Sequence, residues 1–219
     1  ITHDRFGHRV DEVDFHPAYH QLMELGVSSG ICSVAWSHLG DASNERPRDG
    51  HLRHAAMLYL LSQIEPGVCC PLSMTYAATP VIAQAPELRE VLRSLLSTTY
   101  DGRMIPFDQK DGITMGMAMT EKQGGSDVRA NETRATLHAD GSASLIGHKW
   151  FCSAPMSDAF LTLAQGPEGL SCFFVPRWRP DGTRNGIRLQ RIKDKLGNRA
   201  NASGEIEYEK AWALPIGPG

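Results

Sequence analysis

The stretch GMAMTEKQGGSDVRA, residues 116–130, stands between two parts of the chain that differ in the spacing of their apolar residues. Its apolar run ends at Thr120, and Glu121, the glycines at 124 and 125, and Ser126 follow. Successive main-chain N–H groups in a glycine-rich turn can form an anion-binding nest, to which a serine would add a hydroxyl. Glycine, serine and aspartate are also the ordinary residues of surface turns. Spacing alone therefore leaves two interpretations open, a surface turn and a loop that holds a phosphate.

Upstream of this stretch, apolar residues recur at helical spacing. The segment APELREVLRSLLSTTYDG, 85–102, has Pro86 in its first turn, and HLRHAAMLYLLSQIEPG, 51–67, closes on Pro66-Gly67. The stretch from His16 to about Leu39 predicts a further helix. Residues 1 to about 105 are therefore predicted to be all-α. The predicted apolar stripes are Leu52, Ala55, Ala56, Tyr59 and Leu60 in the earlier segment, and Leu88, Val91, Leu92, Leu95 and Leu96 in the later one.

Downstream, from Gly112 onward, apolar residues recur at every second position, which is the spacing of β-strands. TRATLHADGSASLIGHKWF, 133–151, predicts a hairpin that turns at Asp140-Gly141, and AFLTLAQGPEGLSCFFVP, 159–176, predicts a second that turns at Gly166 to Gly169. GIRLQRIKDKLG and GEIEYEKAWAL add at least two strands, and the alternation in EIEYEK indicates one exposed and one buried face. The sequence predicts an α+β protein, with an N-terminal helical domain at 1–111 and an antiparallel β-barrel or sandwich domain at 112–219.

Composition narrows the class of protein. The formal net charge is only −3 in 219 residues, and no run of about 18 apolar residues predicts a membrane span. The chain begins with Ile1 and shows no signal-peptide pattern, so we expect a segment of a longer, cytoplasmic protein. Its five cysteines are odd in number and form no CxxC pair. That pattern favours free, buried thiols in a reducing compartment over a disulfide framework.

Metal and nucleophile motifs are not supported by the spacing of the residues. The pairs His16/His20 and His51/His54 suit one helix face each, yet no glutamate or cysteine is spaced to complete a zinc site. Ser126 is not in a GxSxG elbow. We therefore predict no metal site and no nucleophilic serine in this chain.

Two further stretches have open interpretations. GHKWFCSAP, 147–155, crowds two aromatic residues beside Ser153, which suits either core packing or a flat conjugated ligand with a polar edge. Residues 177–199 contain eight basic side chains against Asp181 and Asp194, a local excess of six positive charges. That excess predicts either a phosphate-binding surface or solvated strand edges. The eight are Arg177, Arg179, Arg184, Arg188, Arg191, Lys193, Lys195 and Arg199.

Taken together, MTEKQGGSD (119–127), GHKWFCS (147–153) and KDKLGNRANAS (193–203) resemble three landmarks of the acyl-CoA dehydrogenase flavoprotein family in order and spacing. The resemblance covers the chain from about residue 10 to its end and is strongest to the AidB-like branch. It implies the family's N-terminal helical and middle β domains, with the C-terminal helical domain absent.

The resemblance implies FAD as the cofactor. Thr120 would bond the edge of the flavin ring and Ser126 a phosphate oxygen, while Phe151 and Ser153 would lie beside the rest of the ring. The implied cofactor-binding residues are Met117, Ala118, Met119, Thr120, Gly124, Gly125, Ser126, Phe151, Cys152 and Ser153.

Activity and partners follow from the same resemblance. The family's catalytic glutamate belongs to the C-terminal domain, and no residue of this chain matches it. Lys122 and Phe151 stand where most relatives have proline and tryptophan, which favours the AidB-like branch, linked to DNA alkylation damage, over a conventional dehydrogenase of short or branched acyl-CoA. Implied partners are an acyl-CoA or related small molecule, duplex DNA chiefly through the absent region, and three further copies in a homotetramer.

Overall fold

A computed structural model describes residues 1–40 and 45–217. The chain forms two compact units: Ile1–Asp14, Met115–Lys195 and Ala202–Gly219 make up the β unit, and Phe15–Thr114 with Leu196–Asn201 make up the helical unit. The predicted α+β order, helices first and a β-barrel after them, is confirmed. The sequence division into 1–111 and 112–219 remains a prediction, because the units are defined by contacts rather than by position along the chain.

Within residues 15–40 and 45–114, the helical unit shows four α-helices and several short 3₁₀ turns. The α-helices are α1 Pro17–Ser28, α2 Gly50–Ser62, α3 Cys69–Ile82 and α4 Arg89–Leu95. The predicted helix from His16 to about Leu39 is shorter than expected, since α1 ends at Ser28 and only a single 3₁₀ turn at Ser37–Leu39 follows. Pro86 opens a 3₁₀ turn just before α4.

Helix α3 was not predicted as a separate element. Its sequence, CCPLSMTYAATPVI, is apolar on most sides and contains Pro80, which breaks the usual helical pattern. The hydroxyls of Thr75 and Thr79 donate to the carbonyl oxygens four residues earlier, at 2.8 and 3.0 Å, so these polar side chains are satisfied inside a buried helix.

The two apolar stripes have opposite outcomes. The α4 stripe is confirmed, because Leu88, Val91 and Leu95 are buried. The α2 stripe is wrong as a guide to the core: Leu52, Tyr59 and Leu60 are more than 60% exposed. The buried side chains of α2 are His54 and Leu61. Periodicity located the helix and its apolar face, but the described residues do not cover that face.

In the part of the β unit that the structure describes, seven strands form one sheet. The order is β1-β3-β2-β4-β5-β7-β6, and the additional pairs β1–β4 and β3–β7 close the sheet into a barrel. The pairs β1–β4 and β2–β4 are parallel, and the other pairs are antiparallel. The strands are β1 Met115–Thr120, β2 Arg134–Leu137, β3 Ala143–Ser153, β4 Ala159–Gly166, β5 Gly169–Pro176, β6 Ile187–Ile192 and β7 Ser203–Ile216.

Both predicted hairpins are confirmed, β2–β3 around Asp140-Gly141 and β4–β5 around Gly166 to Gly169. In β7 the alternation holds for Ile206 and Tyr208, which are buried, and for the exposed Glu207 and Glu209. Glu205 departs from it: this side chain is buried and paired with Arg191 and Lys193. The core of the barrel consists of inward-facing residues such as Leu145, Phe160 and Tyr208.

Adjacent leucines in α2 give a paired test of burial. Leu61 is 5% exposed and Leu60 is 63% exposed. We expect Leu61→Ala to lower the free energy of unfolding by about 2–5 kcal/mol, because it leaves a cavity. Leu60→Ala should change it by no more than about 0.5 kcal/mol. Urea unfolding followed by far-ultraviolet circular dichroism measures both, and equal losses in the two variants would contradict the assigned orientation of α2.

Candidate cofactor site

Two motifs that lie about 30 residues apart in the sequence are neighbours in the barrel. Strand β1 runs antiparallel to β3, with Met117 opposite Ser153 and Thr120 opposite Phe151. The end of β1 and its glycine turn therefore lie beside the end of β3. All ten candidate residues belong to the β unit.

Glu121 fixes the end of β1 to the barrel. Its Oε1 accepts hydrogen bonds from Nζ of Lys149 at 2.7 Å and from the Thr133 hydroxyl at 2.5 Å. The main-chain N–H groups of Glu132 and Thr133 also donate to the carboxylate, at 2.6 and 3.1 Å. Nζ of Lys149 donates in addition to the carbonyl oxygen of Leu163 at 2.7 Å. One ion pair thus connects β1 with β3, β4 and the segment that enters β2.

Burial and hydrogen bonding act against each other at this pair. Burial by itself would raise the pKa of Glu121, but the hydrogen bonds from Lys149 and Thr133 outweigh it and hold that pKa below its ordinary value. Burial lowers the pKa of Lys149, and Glu121 offsets part of this. Removing one partner would leave an uncompensated charge in the interior.

The turn after Glu121 requires its glycines. The N–H of Gly124 donates to the carbonyl oxygen of Glu121 at 3.1 Å, and Gly124 has a φ of 129°, which favours glycine. A Cβ on Gly125 would lie 2.7 Å from the hydroxyl oxygen of Thr120, closer than real Cβ atoms approach. Gly125 and Ser126 are exposed. The turn therefore presents main-chain and hydroxyl groups at the surface beside Thr120.

A β-bulge changes the direction of the side chains at the end of β3. Between Lys149 and Cys152, β3 has one residue more than β7 has between Ile206 and Gly204. Phe151 is 41% exposed as a result, whereas its neighbour Cys152 is fully buried. Bulges of this kind re-aim side chains and are common near functional sites. An exposed aromatic ring at this point suits contact with a flat conjugated group.

Two of the ten candidate residues face the core. Ala118 and Cys152 have no exposed surface and lie in the core cluster, so they could offer a ligand only main-chain atoms. Burial raises the pKa of the Cys152 thiol to about 12, and the group remains a protonated thiol at neutral pH. Among the described residues none of the five cysteines forms a disulfide, and Cys69, Cys70 and Cys172 are partly exposed, whereas the sequence predicted buried thiols.

Sequence reasoning missed the Glu121–Lys149 pair, although both residues stand inside the quoted motifs. The alternation of side chains along β3 was the available signal. Lys149 lies on the same side of the strand as the buried Leu145, and a buried lysine needs a carboxylate partner.

Sequence reasoning also placed Trp150 and Phe151 in the core, as one interpretation, and the structure corrects this. Trp150 is only partly buried and is covered by Lys193, whose Nζ lies 3.1 Å from the centre of the indole ring. The same Nζ lies 2.6 Å from Oε1 of Glu205. A lysine that is paired with a carboxylate and packed on an aromatic face holds this end of β3 from outside.

The basic stretch at 177–199 offers less free positive charge than its composition predicts. Several of its side chains pair with acidic residues that are distant in sequence, so the interpretation as a free phosphate-binding surface is not favoured. These pairs are Arg184 with Glu12 at 3.2 Å, Arg188 with Glu209 at 2.9 Å, Arg191 with Glu205 at 2.7 Å, and Lys193 with Glu205 at 2.6 Å.

Residues 1–40 and 45–217 offer neither a metal site nor a membrane-spanning helix. Within those ranges no group of three or more histidine, cysteine, aspartate or glutamate side chains could hold a metal ion. No helix in the same ranges is long and apolar enough to cross a membrane.

Comparison with known proteins identifies the family. Residues 1–102 match the family model for the adaptive response protein AidB N-terminal domain, and residues 116–211 match that for the acyl-CoA dehydrogenase middle domain. The chain belongs to the acyl-CoA dehydrogenase family. The resemblance seen in the sequence, including that to the AidB-like branch, is confirmed.

Relatives of this acyl-CoA dehydrogenase family chain are longer than it is. AidB of Escherichia coli (strain K12) is 50% identical over 222 residues, which cover 99% of this chain and 40% of AidB. This chain also matches the crystal structure of ACDH-11 of Caenorhabditis elegans in complex with C11-CoA, with a TM-score of 0.84 and 28% identity. The match covers 100% of this chain and 37% of the ACDH-11 chain. An acyl-CoA dehydrogenase of Bacillus anthracis complexed with FAD has a TM-score of 0.69 at 17% identity, over 93% of this chain and 33% of that one.

The buried ion pair gives a test of what fixes the site. We expect Lys149→Met to lower the free energy of unfolding by about 3–5 kcal/mol, because Glu121 is then left as a buried, uncompensated charge. The double variant Glu121→Gln/Lys149→Met should recover most of this loss. Denaturant unfolding measures both, with Arg93→Met, which breaks the exposed pair with Glu90, as a control that changes little. A loss from Lys149→Met as small as the control's would contradict the role of the pair.

The same pair predicts a dependence on pH. Since the folded state holds the pKa of Glu121 below its ordinary value of 4.5, the stabilisation is complete above that value and is lost as pH falls through the folded pKa. The difference in free energy of unfolding between the natural chain and the Glu121→Gln/Lys149→Met variant should therefore stay constant from about pH 7 to pH 5. At lower pH the natural chain should lose stability relative to the variant. Parallel pH profiles for the two proteins would contradict this assignment.

Proposed function

We propose that this chain binds FAD through the end of β1, the turn at 124–126 and the end of β3, as part of an AidB-type acyl-CoA dehydrogenase-like flavoprotein. The observation that carries the proposal is the pairing of Thr120 with Phe151 and of Met117 with Ser153. That pairing brings a donor-rich turn beside an exposed aromatic ring. The FAD complex of the Bacillus anthracis relative, which shares the fold, supports the choice of cofactor.

In this proposal each candidate residue has a role that its position permits. Gly125 has space only for hydrogen on its Cα, so main-chain N–H groups of the turn can approach a pyrophosphate closely. The hydroxyls of Thr120 and Ser126 donate to the ring edge and to a phosphate oxygen, and Phe151 and Ser153 contact the ring. Met117, Met119 and Gly124 line the same surface, and Ala118 and Cys152 contribute main-chain atoms only.

FAD supplies the hydride acceptor of the family's chemistry, and the chain's own residues position it. Glu121 directly follows Thr120 but is not a candidate base. Its carboxylate already accepts hydrogen bonds from Lys149, Thr133 and Glu132, and its pKa is lowered rather than raised toward neutrality. In the proposed function this carboxylate is therefore an anchor for the site.

We assign the protein to the AidB type, with a role linked to DNA alkylation damage and at most weak oxidation of an acyl-CoA. The match of residues 1–102 to a domain described as an adaptive response protein supports this assignment. The alternative is a conventional dehydrogenase of short or branched acyl-CoA. The ACDH-11 complex with C11-CoA supports an acyl-CoA as the ligand in this alternative, but not the short or branched chain. Anaerobic addition of acyl-CoA thioesters to flavin-loaded protein that includes the family's C-terminal domain separates the two, since only a conventional dehydrogenase would rapidly bleach the flavin.

Partners and location are parts of the same proposal. The charges paired within 177–199 give no support to DNA binding there, so any contact with duplex DNA would use other surfaces. The exposed stripe of α2, with Leu52, Tyr59 and Leu60, is an apolar surface that assembly into a homotetramer could cover. Cysteines that form no disulfide among the described residues suit a cytoplasmic location.

Two hydroxyl deletions test the cofactor site. We expect Thr120→Val and Ser126→Ala each to lower the affinity for FAD by about 5- to 50-fold, because each variant loses one or two hydrogen bonds to the cofactor. Flavin absorbance after gel filtration and a fluorescence titration with FAD measure the change. Thr136→Val, at an exposed position on β2, is the control and should retain FAD like the natural chain.

The result that would contradict the proposal is specific. If the natural chain takes up FAD and both deletions retain it unchanged, the turn is an ordinary surface turn and FAD binds elsewhere.

A further inference from the structure

Arg177, directly after β5, is a buried cation with an unused donor. Its side chain is 5% exposed, and its Nε and Nη1 donate to the carbonyl oxygens of Ser157 at 3.2 Å and Asp11 at 3.4 Å. Among residues 1–40 and 45–217, no group accepts a hydrogen bond from its Nη2. A buried, charged donor without an acceptor is costly, and natural structures rarely leave one.

A small cavity lies beside this guanidinium. Its volume is about 40 Å³, and Arg9, Arg177, Arg184 and Arg188 all line it, together with Asp11. The segment before residue 14 and the region around β6 supply these residues, and both belong to the β unit. Four arginines against the single lining carboxylate of Asp11 make the cavity more favourable for an anion than for a cation.

Three of the four arginines have carboxylate partners. Arg9 Nε lies 3.0 Å from both oxygens of Asp11, Arg184 lies 3.2 Å from Glu12, and Arg188 lies 2.9 Å from Glu209. The hydrogen bonds of Arg177 go instead to carbonyl oxygens. Burial lowers the pKa of Arg177 to about 10, so the group still carries its proton at neutral pH. The carboxylates of Asp158 and Asp11 offset part of this charge by raising the pKa of Arg177, and the buried donor that remains without an acceptor among the described residues is Nη2 of Arg177.

We propose that this cavity binds one small inorganic monoanion, of the size of chloride or bromide, against Nη2 of Arg177. The volume exceeds the roughly 10–15 Å³ that one water needs but leaves little room for a phosphate with its own ligands. The carboxylate of Asp11, on the cavity wall, would repel a divalent anion more than a monovalent one. The site is independent of the proposed FAD site, because it shares no residue with it.

Crystallography with bromide tests the site directly. Crystals of the natural chain grown or soaked in sodium bromide should show an anomalous peak within hydrogen-bond distance of Nη2 of Arg177. Bromide found only at exposed positions, with a water in this cavity, would overturn the proposal. This measurement does not depend on the folding of any variant.

A solution measurement tests whether the anion is bound at ordinary concentrations. At constant ionic strength, replacing gluconate by chloride should raise the thermal unfolding midpoint by about 2–4 °C, with saturation. Arg177→Met should abolish the rise, and Arg177→Lys, which keeps the charge, should retain part of it. Arg103→Gln, which removes an exposed ion pair in the helical unit, is the matched control and should respond like the natural chain. A rise that does not saturate, or that persists in Arg177→Met, would contradict specific binding.

Discussion

The ion pair between Glu121 and Lys149 is the constraint on which the geometry of the candidate site depends. Glu121 follows Thr120 directly, and Lys149 precedes the bulge that exposes Phe151. Four donors converge on one carboxylate, so neither the end of β1 nor the entry to β2 can shift without leaving a buried charge unsatisfied. A pair of this kind adds little net stability compared with apolar packing, and its main effect is to select one arrangement of the strands.

The fold could be predicted from sequence wherever the signal was local. The hairpin at Asp140-Gly141 combines a turn dipeptide with alternation on both sides, and each is a property of a few adjacent residues. Helix α3 lacked such a signal, because apolar residues surround it and Pro80 interrupts it. The apolar stripe of α2 failed as a guide to burial for another reason. Periodicity shows which residues share a side, whereas burial depends on what packs there, and for Leu60 the described chain supplies nothing.

In the candidate site, too, local sequence predicted some features and non-local contacts determined the others. Motif resemblance supplied the residues, and the pairing of β1 with β3 brings them together. The alternation of side chains along a strand could not predict their orientation. The bulge after Lys149 interrupts the two-residue period at the point where Phe151 points outward and Cys152 points inward. Of the two interpretations of residues 177–199, the phosphate-binding surface is not favoured, because several of the basic side chains pair with residues elsewhere in the sequence, such as Glu12 and Glu209. Both features depend on non-local contacts.

The buried charged side chains of this barrel differ in whether all their hydrogen-bonding groups have partners. Glu121 and Lys149 satisfy each other and nearby main-chain groups, so the pair needs no ligand and acts on the fold. Arg177 is as deeply buried, yet one of its donors faces no acceptor in the part of the chain that the structure describes. Desolvation imposes a similar cost on both groups, so burial alone cannot separate them. An unused donor beside a cavity indicates binding, whereas a completed set of partners indicates structure.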